Sequence, residues 1–196
     1  MTYDFLVESY ETERIKVLSA WSMFEDADMN VRPRAGDPRG RSVLEQMVHQ
    51  CMSEDAWFRG MLGIDTGAPP LPSREMRHDF MVRYAEDSSK RLEALRAKYD
   101  AWWQEEVRFF DVSRSRAWVM TRRLTHTAHH RGQLIAMLRM LGRDVYSTYG
   151  PTADTGGLMK DHAPTIYAYP DIASLLGGAD KTPLPAKPDR PVTERA

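Results

Sequence analysis

The sequence lacks most of the features that mark a specialised class of protein. It has one cysteine, Cys51, in 196 residues, so an internal disulfide and a zinc site built on cysteine pairs are both excluded, and a reducing cytoplasm is the expected compartment. Its most apolar stretches, Val17–Phe24 and Leu134–Leu141, are broken by two serines and by Arg139. Neither approaches the roughly 20 apolar residues that span a bilayer. The first residues carry acids where a secretory leader has a basic and then an apolar region. There is no excess of one charge: Lys and Arg total 27 against 28 Asp and Glu, which argues against a dedicated nucleic-acid binder. Gly-x-Ser-x-Gly, His-Glu-x-x-His and a glycine-rich phosphate loop are all missing, as is any internal repeat.

What remains is the composition of one ordinary globular domain with a tail: 42% hydrophobic and 28% charged residues. Four stretches carry helical periodicity. The first runs from about Tyr3 to Asp28 with a stripe of Leu6, Tyr10, Val17, Trp21 and Phe24. The second opens at Ser42-Val-Leu-Glu45, a capping-box pattern, and continues to about Leu62 through Leu44, Met47, Val48, Met52, Ala56 and Met61. A Pro/Gly loop follows. Ser73 with Met76 opens the third, through Phe80, Tyr84, Leu92, Leu95 and Tyr99. The aromatic stretch Ala101–Asp111 reads as helix or extended chain. Ser113 is the expected cap of the fourth helix, which stops at Gly142. The expectation is an all-α four-helix bundle over residues 1–145, an irregular extension packed on it over 146–176 with a short helix near Asp171–Leu176, and an irregular or mobile proline-rich tail over 177–196. The arginine cluster from Arg32 to Arg41, free of interleaved aromatics, reads as a solvated loop before it reads as an anion site.

The chemistry is concentrated in the fourth helix. His126 and His130 stand four residues apart, so about 40° separates their directions and both imidazoles can meet one point. That is how a helix presents two nitrogens to one transition metal; two hydrogen-bonded core or surface histidines would share the spacing. His129, about 100° from His130, reads as exposed or supporting. His49, beside Val48, Met52 and Ala56, is expected to point inward from the second helix, as a core histidine or a third ligand. His78 and His162 read as solvent-facing or loop-bound. Cys51 points about 160° away from His49, while Glu54 and Asp55 lie about 140° and 120° around the helix from it. None of the three is expected to join the imidazoles, and Glu45 is committed to the cap. No general base is evident, and the catalytic residues stay unassigned.

An inward His in helix two, followed by His126-x-x-x-His130 and the run His130-Arg131-Gly132-Gln133 in the last bundle helix, resembles the DinB/YfiT-like superfamily over roughly residues 1–145. The resemblance implies a four-helix bundle, usually homodimeric, in which His49, His126 and His130 hold a divalent metal. It also implies variable chemistry, including S-transfer with low-molecular-weight thiols. Three imidazoles suit zinc or nickel first, and iron or copper as well. Two functions stand at this point: a metal-dependent hydrolase or thiol S-transferase acting on a small molecule, and a non-catalytic, metal-stabilised dimeric bundle with a stress-response or binding role. Neither involves nucleic acid or a membrane. Tyr149–Gly157 looks like a subgroup extension. Tyr149, Asp154 and His162 either fold over the bundle mouth or pack on its surface. Gly132 serves a close approach or is merely tolerated, and Arg131 and Gln133 support the ligands or a dimer surface.

Overall fold

A computed structural model of the chain describes residues 2–189 and 191–193. Four long helices form the body: α1 (Asp4–Ser22), α2 (Val43–Gly60), α3 (Arg77–Arg96) and α5 (Arg116–Met140). A short helix, α4 (Asp100–Gln104), and a hairpin of β1 (Glu106–Phe109) and β2 (Val112–Ser115) connect α3 to α5, and α6 (Ile172–Leu176) lies in the C-terminal segment. The fold is thus the mainly helical bundle expected, with one small sheet. No helix among the described residues is long and apolar enough to cross a membrane.

Local chemistry fixes the boundaries. The capping box forms as read: Ser42 Oγ accepts from the Glu45 N–H at 3.2 Å and a Glu45 carboxylate oxygen accepts from the Ser42 N–H at 2.8 Å. α5 ends with Gly142 at φ +67°, where only glycine is unstrained. The Arg143 N–H then reaches back to the Leu138 carbonyl at 3.0 Å, a Schellman closure. Asp171 caps α6 by accepting from the Ser174 N–H at 2.7 Å.

Several boundaries differ from the sequence reading. α1 stops at Ser22 rather than Asp28 because Asp28 turns its carboxylate back onto the Glu25 N–H at 2.8 Å and caps a 3-10 turn, a local bond that competes with helix. α3 is entered from an extended Met76, not from Ser73, and leaves Tyr99 outside it, 62% exposed. Ser113 is not the cap of α5. It pairs with Arg108 inside the hairpin, so the helix starts two residues later, where Ser115 Oγ accepts from the Trp118 N–H. The ambiguous aromatic stretch divides between α4 and β1, and the Phe109–Val112 pair closes a two-residue turn at Phe110-Asp111.

α1 packs on α3 and α5, and α2 on α5 and α3. Two apolar clusters fill the interior. One is built around Trp21, Met47, Phe80, Tyr84 and Leu138, the other around Tyr10, Phe58, Leu95, Trp103 and Met120. The C-terminal segment is stitched to the first cluster by Ser147 N–H to Ile166 O at 2.9 Å, Thr182 N–H to Ala168 O at 3.0 Å and the packed side chain of Leu184. The described tail residues carry no helix or strand, yet the Lys187 ammonium also bonds Asp144 at 2.8 Å. Residues 190 and 194–196 of the expected tail lie outside the described residues.

Candidate metal centre

The face that α2 buries is Val43, Met47, Cys51, Glu54 and Phe58, while Met52 and Ala56 are exposed. His49 is therefore not in the core, as its apolar neighbours suggested, but half-buried at the edge of the groove between α2 and α5. His126 is likewise half-buried, and His130, one turn on, is 6% exposed. Because the two helices run antiparallel, Gln46 meets Gln133, His49 meets His130, and Gln50 meets Thr127. The three histidines converge at the surface of this groove.

Their Nε2 atoms point at one another: His49 to His130 is 3.1 Å and His130 to His126 is 3.2 Å. Bonds of about 2.0–2.1 Å to a shared ion would space the nitrogens about 2.9 Å apart on an octahedral face and about 3.3 Å on a tetrahedral one. The observed spacing lies between the two, so the residues fit a divalent transition metal. Among the described residues no fourth histidine, cysteine or carboxylate joins them. His130 Nδ1 faces the side-chain oxygens of Gln46 and Gln133, 3.0 Å from each. Oxygens only accept, so Nδ1 carries the proton and Nε2 offers its lone pair to the common point. Gln133 is itself held by the Gln46 amide at 2.8 Å. This gives Gln133 the supporting role left open by its sequence context, and adds Gln46, which the sequence did not single out. The Trp57 ring lies 5.6 Å from that of His126, whose buried Nδ1 has no hydrogen-bond partner among the described residues.

The electrostatics favour neutral imidazoles. Burial, then the positive charges of Arg123, His130 and His49, pushes His126 down to about 3. Burial and His49 push His130 down to about 4. Burial, Arg41 and Arg123 also lower His49. Neutral nitrogens are the form that binds metal.

The remaining candidates sit elsewhere. His78, His129 and His162 are exposed, and His129 accepts from the Gln133 amide at 3.1 Å. Cys51 is buried in the apolar core, where burial pushes its thiol up, away from the reactive thiolate. Arg131 pairs with Glu13 and bonds the Tyr149 hydroxyl, which sits 3.1 Å from Glu13. Asp154 takes Arg139 and the Val145 N–H. The extension thus packs on α1 and α5 instead of covering the histidines.

Glu54 and Asp55 do avoid the imidazoles, but sequence reasoning missed what they do. Glu54 is 0% exposed and accepts from the Tyr10 hydroxyl at 2.6 Å, the Gln50 amide at 2.9 Å and the Tyr84 hydroxyl at 3.1 Å. Arg91 and Arg123 approach the same carboxylate at 3.5 and 3.8 Å, and Arg91 also reaches Asp55 at 3.4 Å. The available signal was a charged residue inside each apolar stripe: Glu54 between Cys51 and Phe58, Arg91 between Tyr84 and Leu95, Arg123 between Met120 and Thr127.

The sequence model of the DinB family matches residues 6–157, and so runs past the expected bundle boundary to include Tyr149–Gly157. Among solved structures, a DinB-like protein from Bacillus cereus ATCC 10987 is similar at a TM-score of 0.62 and 16% identity, covering 74% of this chain and 95% of that one. At that identity the likeness speaks for the fold alone. No curated protein matches the chain significantly.

Proposed function

This chain belongs to the DinB family, and we propose that it is a metal-dependent hydrolase or thiol S-transferase whose divalent ion, zinc or nickel before iron or copper, is held by His49, His126 and His130. The reading is supported by one observation above all: His130 Nε2 lies 3.1 Å from that of His49 and 3.2 Å from that of His126, and among the described residues no fourth protein donor joins the three. A structural zinc site is closed by four protein ligands, whereas a catalytic one keeps a position open. A divalent ion there supplies Lewis acidity, drawing the pKa of a coordinated water or thiol toward neutrality.

The chain's own residues do the rest. Gln46 and Gln133 fix the tautomer of His130, which keeps its lone pair on the metal side. Trp57 limits the swing of His126 and shields one side of it from water. Glu54 is kept out of the chemistry, since two tyrosines, Gln50 and two arginines occupy its oxygens. A homodimer is the assembly the family resemblance supports, and light scattering on the purified chain tests it.

Elemental analysis of the wild-type protein beside His130→Ala at matched concentration tests the centre itself. About one equivalent of a transition metal, lost in the variant, is expected. Absence of metal from both after reconstitution would overturn the reading and leave the non-catalytic bundle.

A further inference from the structure

The groove that carries the three imidazoles changes character along its length. At the end nearest the start of α2, a cleft of about 210 Å³ is lined by Arg39, Arg41, Gln46 and Gln133, so its floor is the pair of amides that hold His130. The arginines around it are not equivalent. Arg39 is clamped to Asp37 at 2.7 and 2.9 Å, and Arg32 is paired with Glu45. Arg41 is exposed, and no carboxylate forms an ion pair with it among the described residues. Its charge nevertheless bears on both His49 and His130.

At the other end the groove is aromatic. Trp57 lies against His126, and Phe109 and Phe110 of the hairpin lie 5.3 and 6.4 Å from Trp57. Phe110 is 62% exposed and sits at the turn with φ +54°, a conformation the hairpin imposes on a bulky residue that then points little of itself inward. Three neutral ligands would leave a divalent ion its full charge, so an open position there favours an anionic donor.

Resting on the metal reading above, we propose that the α2–α5 groove selects a bipolar small acid: its carboxylate pairs with Arg41, its donor atom meets the His49–His126–His130 point, and its aromatic body lies on Trp57 and Phe110. Arg41 and Phe110 are then specificity residues, since neither touches the metal.

The test uses the full chain loaded with cobalt and three thiols as probes: 2-benzyl-3-mercaptopropanoate, which carries both ends, 3-mercaptopropanoate, which lacks the ring, and 3-phenylpropane-1-thiol, which lacks the acid. Binding is read from the thiolate-to-cobalt absorption band and by calorimetry, not from turnover. The bipolar thiol is expected to bind at least about tenfold tighter than either half. Arg41→Ala should abolish the advantage of the carboxylate and keep that of the ring; Phe110→Ala should do the reverse, and Arg41→Lys should restore part of the acid preference. Both positions are exposed, and cobalt uptake by each variant confirms that its centre is intact. A cobalt-loaded protein that binds the three thiols alike, or keeps its selectivity in Arg41→Ala, overturns the inference alone. A chain that takes up no cobalt fails the metal reading first.

Discussion

The two polar layers that α2 and α5 build lie within two helical turns of each other, and their charges are balanced in opposite ways. Around Glu54 both carboxylate oxygens are occupied, by the Tyr10 and Tyr84 hydroxyls and the Gln50 amide, with Arg91 and Arg123 alongside. Asp55, which Arg91 also reaches, adds the second negative charge that balances the two arginines, and the layer is closed to solvent. Around His49, His126 and His130 the arrangement is inverted: three lone pairs face one another, the supporting groups are amides rather than carboxylates, and the neighbouring charges are positive. A layer that is self-neutral needs no ligand. A layer of converging lone pairs fits a cation at its centre.

The sharpest way to break this comparison is Glu54→Gln. The change keeps shape but leaves Arg91 and Arg123 buried without their shared counter-charge, and removing one partner of a buried ion pair costs about 3–5 kcal/mol. Urea unfolding is expected to show that loss equally with and without metal. His130→Ala, measured the same way on metal-free protein, should lose less, and its signature should be the disappearance of the metal-dependent rise in Tm. If Glu54→Gln kept its stability but lost the metal, the roles assigned to the two layers would be exchanged.

Acid separates the layers next. The imidazoles of the metal-free protein titrate below their ordinary value, His126 near about 3 and His130 near about 4, first because of burial. The unfolded chain therefore takes up protons before the folded one, and this contribution to stability is fully present above about pH 6.5 and falls as the pH drops toward about 3. A Tm–pH series on metal-free protein should show that slope, and His126→Ala should flatten it. Protons also compete with the ion, so metal release should follow the same direction.

A smaller effect tests how the centre is supported. Gln133→Leu leaves His130 Nδ1 with Gln46 alone, and the Gln46→Leu/Gln133→Leu pair leaves it with neither. Loss of such outer partners weakens metal binding by about 10–100-fold. Chelator competition should place the single variant near the lower figure and the double near the upper. Equal affinities in all three proteins would mean that His130 is held by packing.

Features local in the chain were legible in the sequence. The Ser42–Glu45 box, the Gly142 stop, the short helix near Asp171–Leu176 and the four apolar stripes each depend on residues within a turn or two. The histidine cluster was legible because the His126–His130 spacing is also local and only His49 had to be supplied from elsewhere. What escaped was long-range. Tyr10, Tyr84, Arg91 and Arg123 come to Glu54 from three other helices, and no spacing reveals that. The position of His49 escaped for a related reason: Val48, Met52 and Ala56 look like a buried stripe until Glu54, buried by its partners, rotates the true inward face of α2 toward Cys51 and Phe58. Ser113 was the cap expected from the sequence, and its pairing with Arg108 in the hairpin moved the start of α5 to Ser115.

The mildest test bears on the outer face of α5. Gly132 lies between Arg131, buried against Glu13, and Gln133, which supports His130. A Cβ built there would have nothing within 4 Å, and its φ is an ordinary helical one. The close-approach reading of this glycine therefore has no basis within the chain. Gly132→Ala should stabilise by about 0.5–1 kcal/mol, through the lower entropy of the unfolded chain, with metal affinity unchanged. A variant that instead lost stability or metal would point to a second molecule on this face, since no described residue beyond the two chain neighbours lies where the added methyl would go.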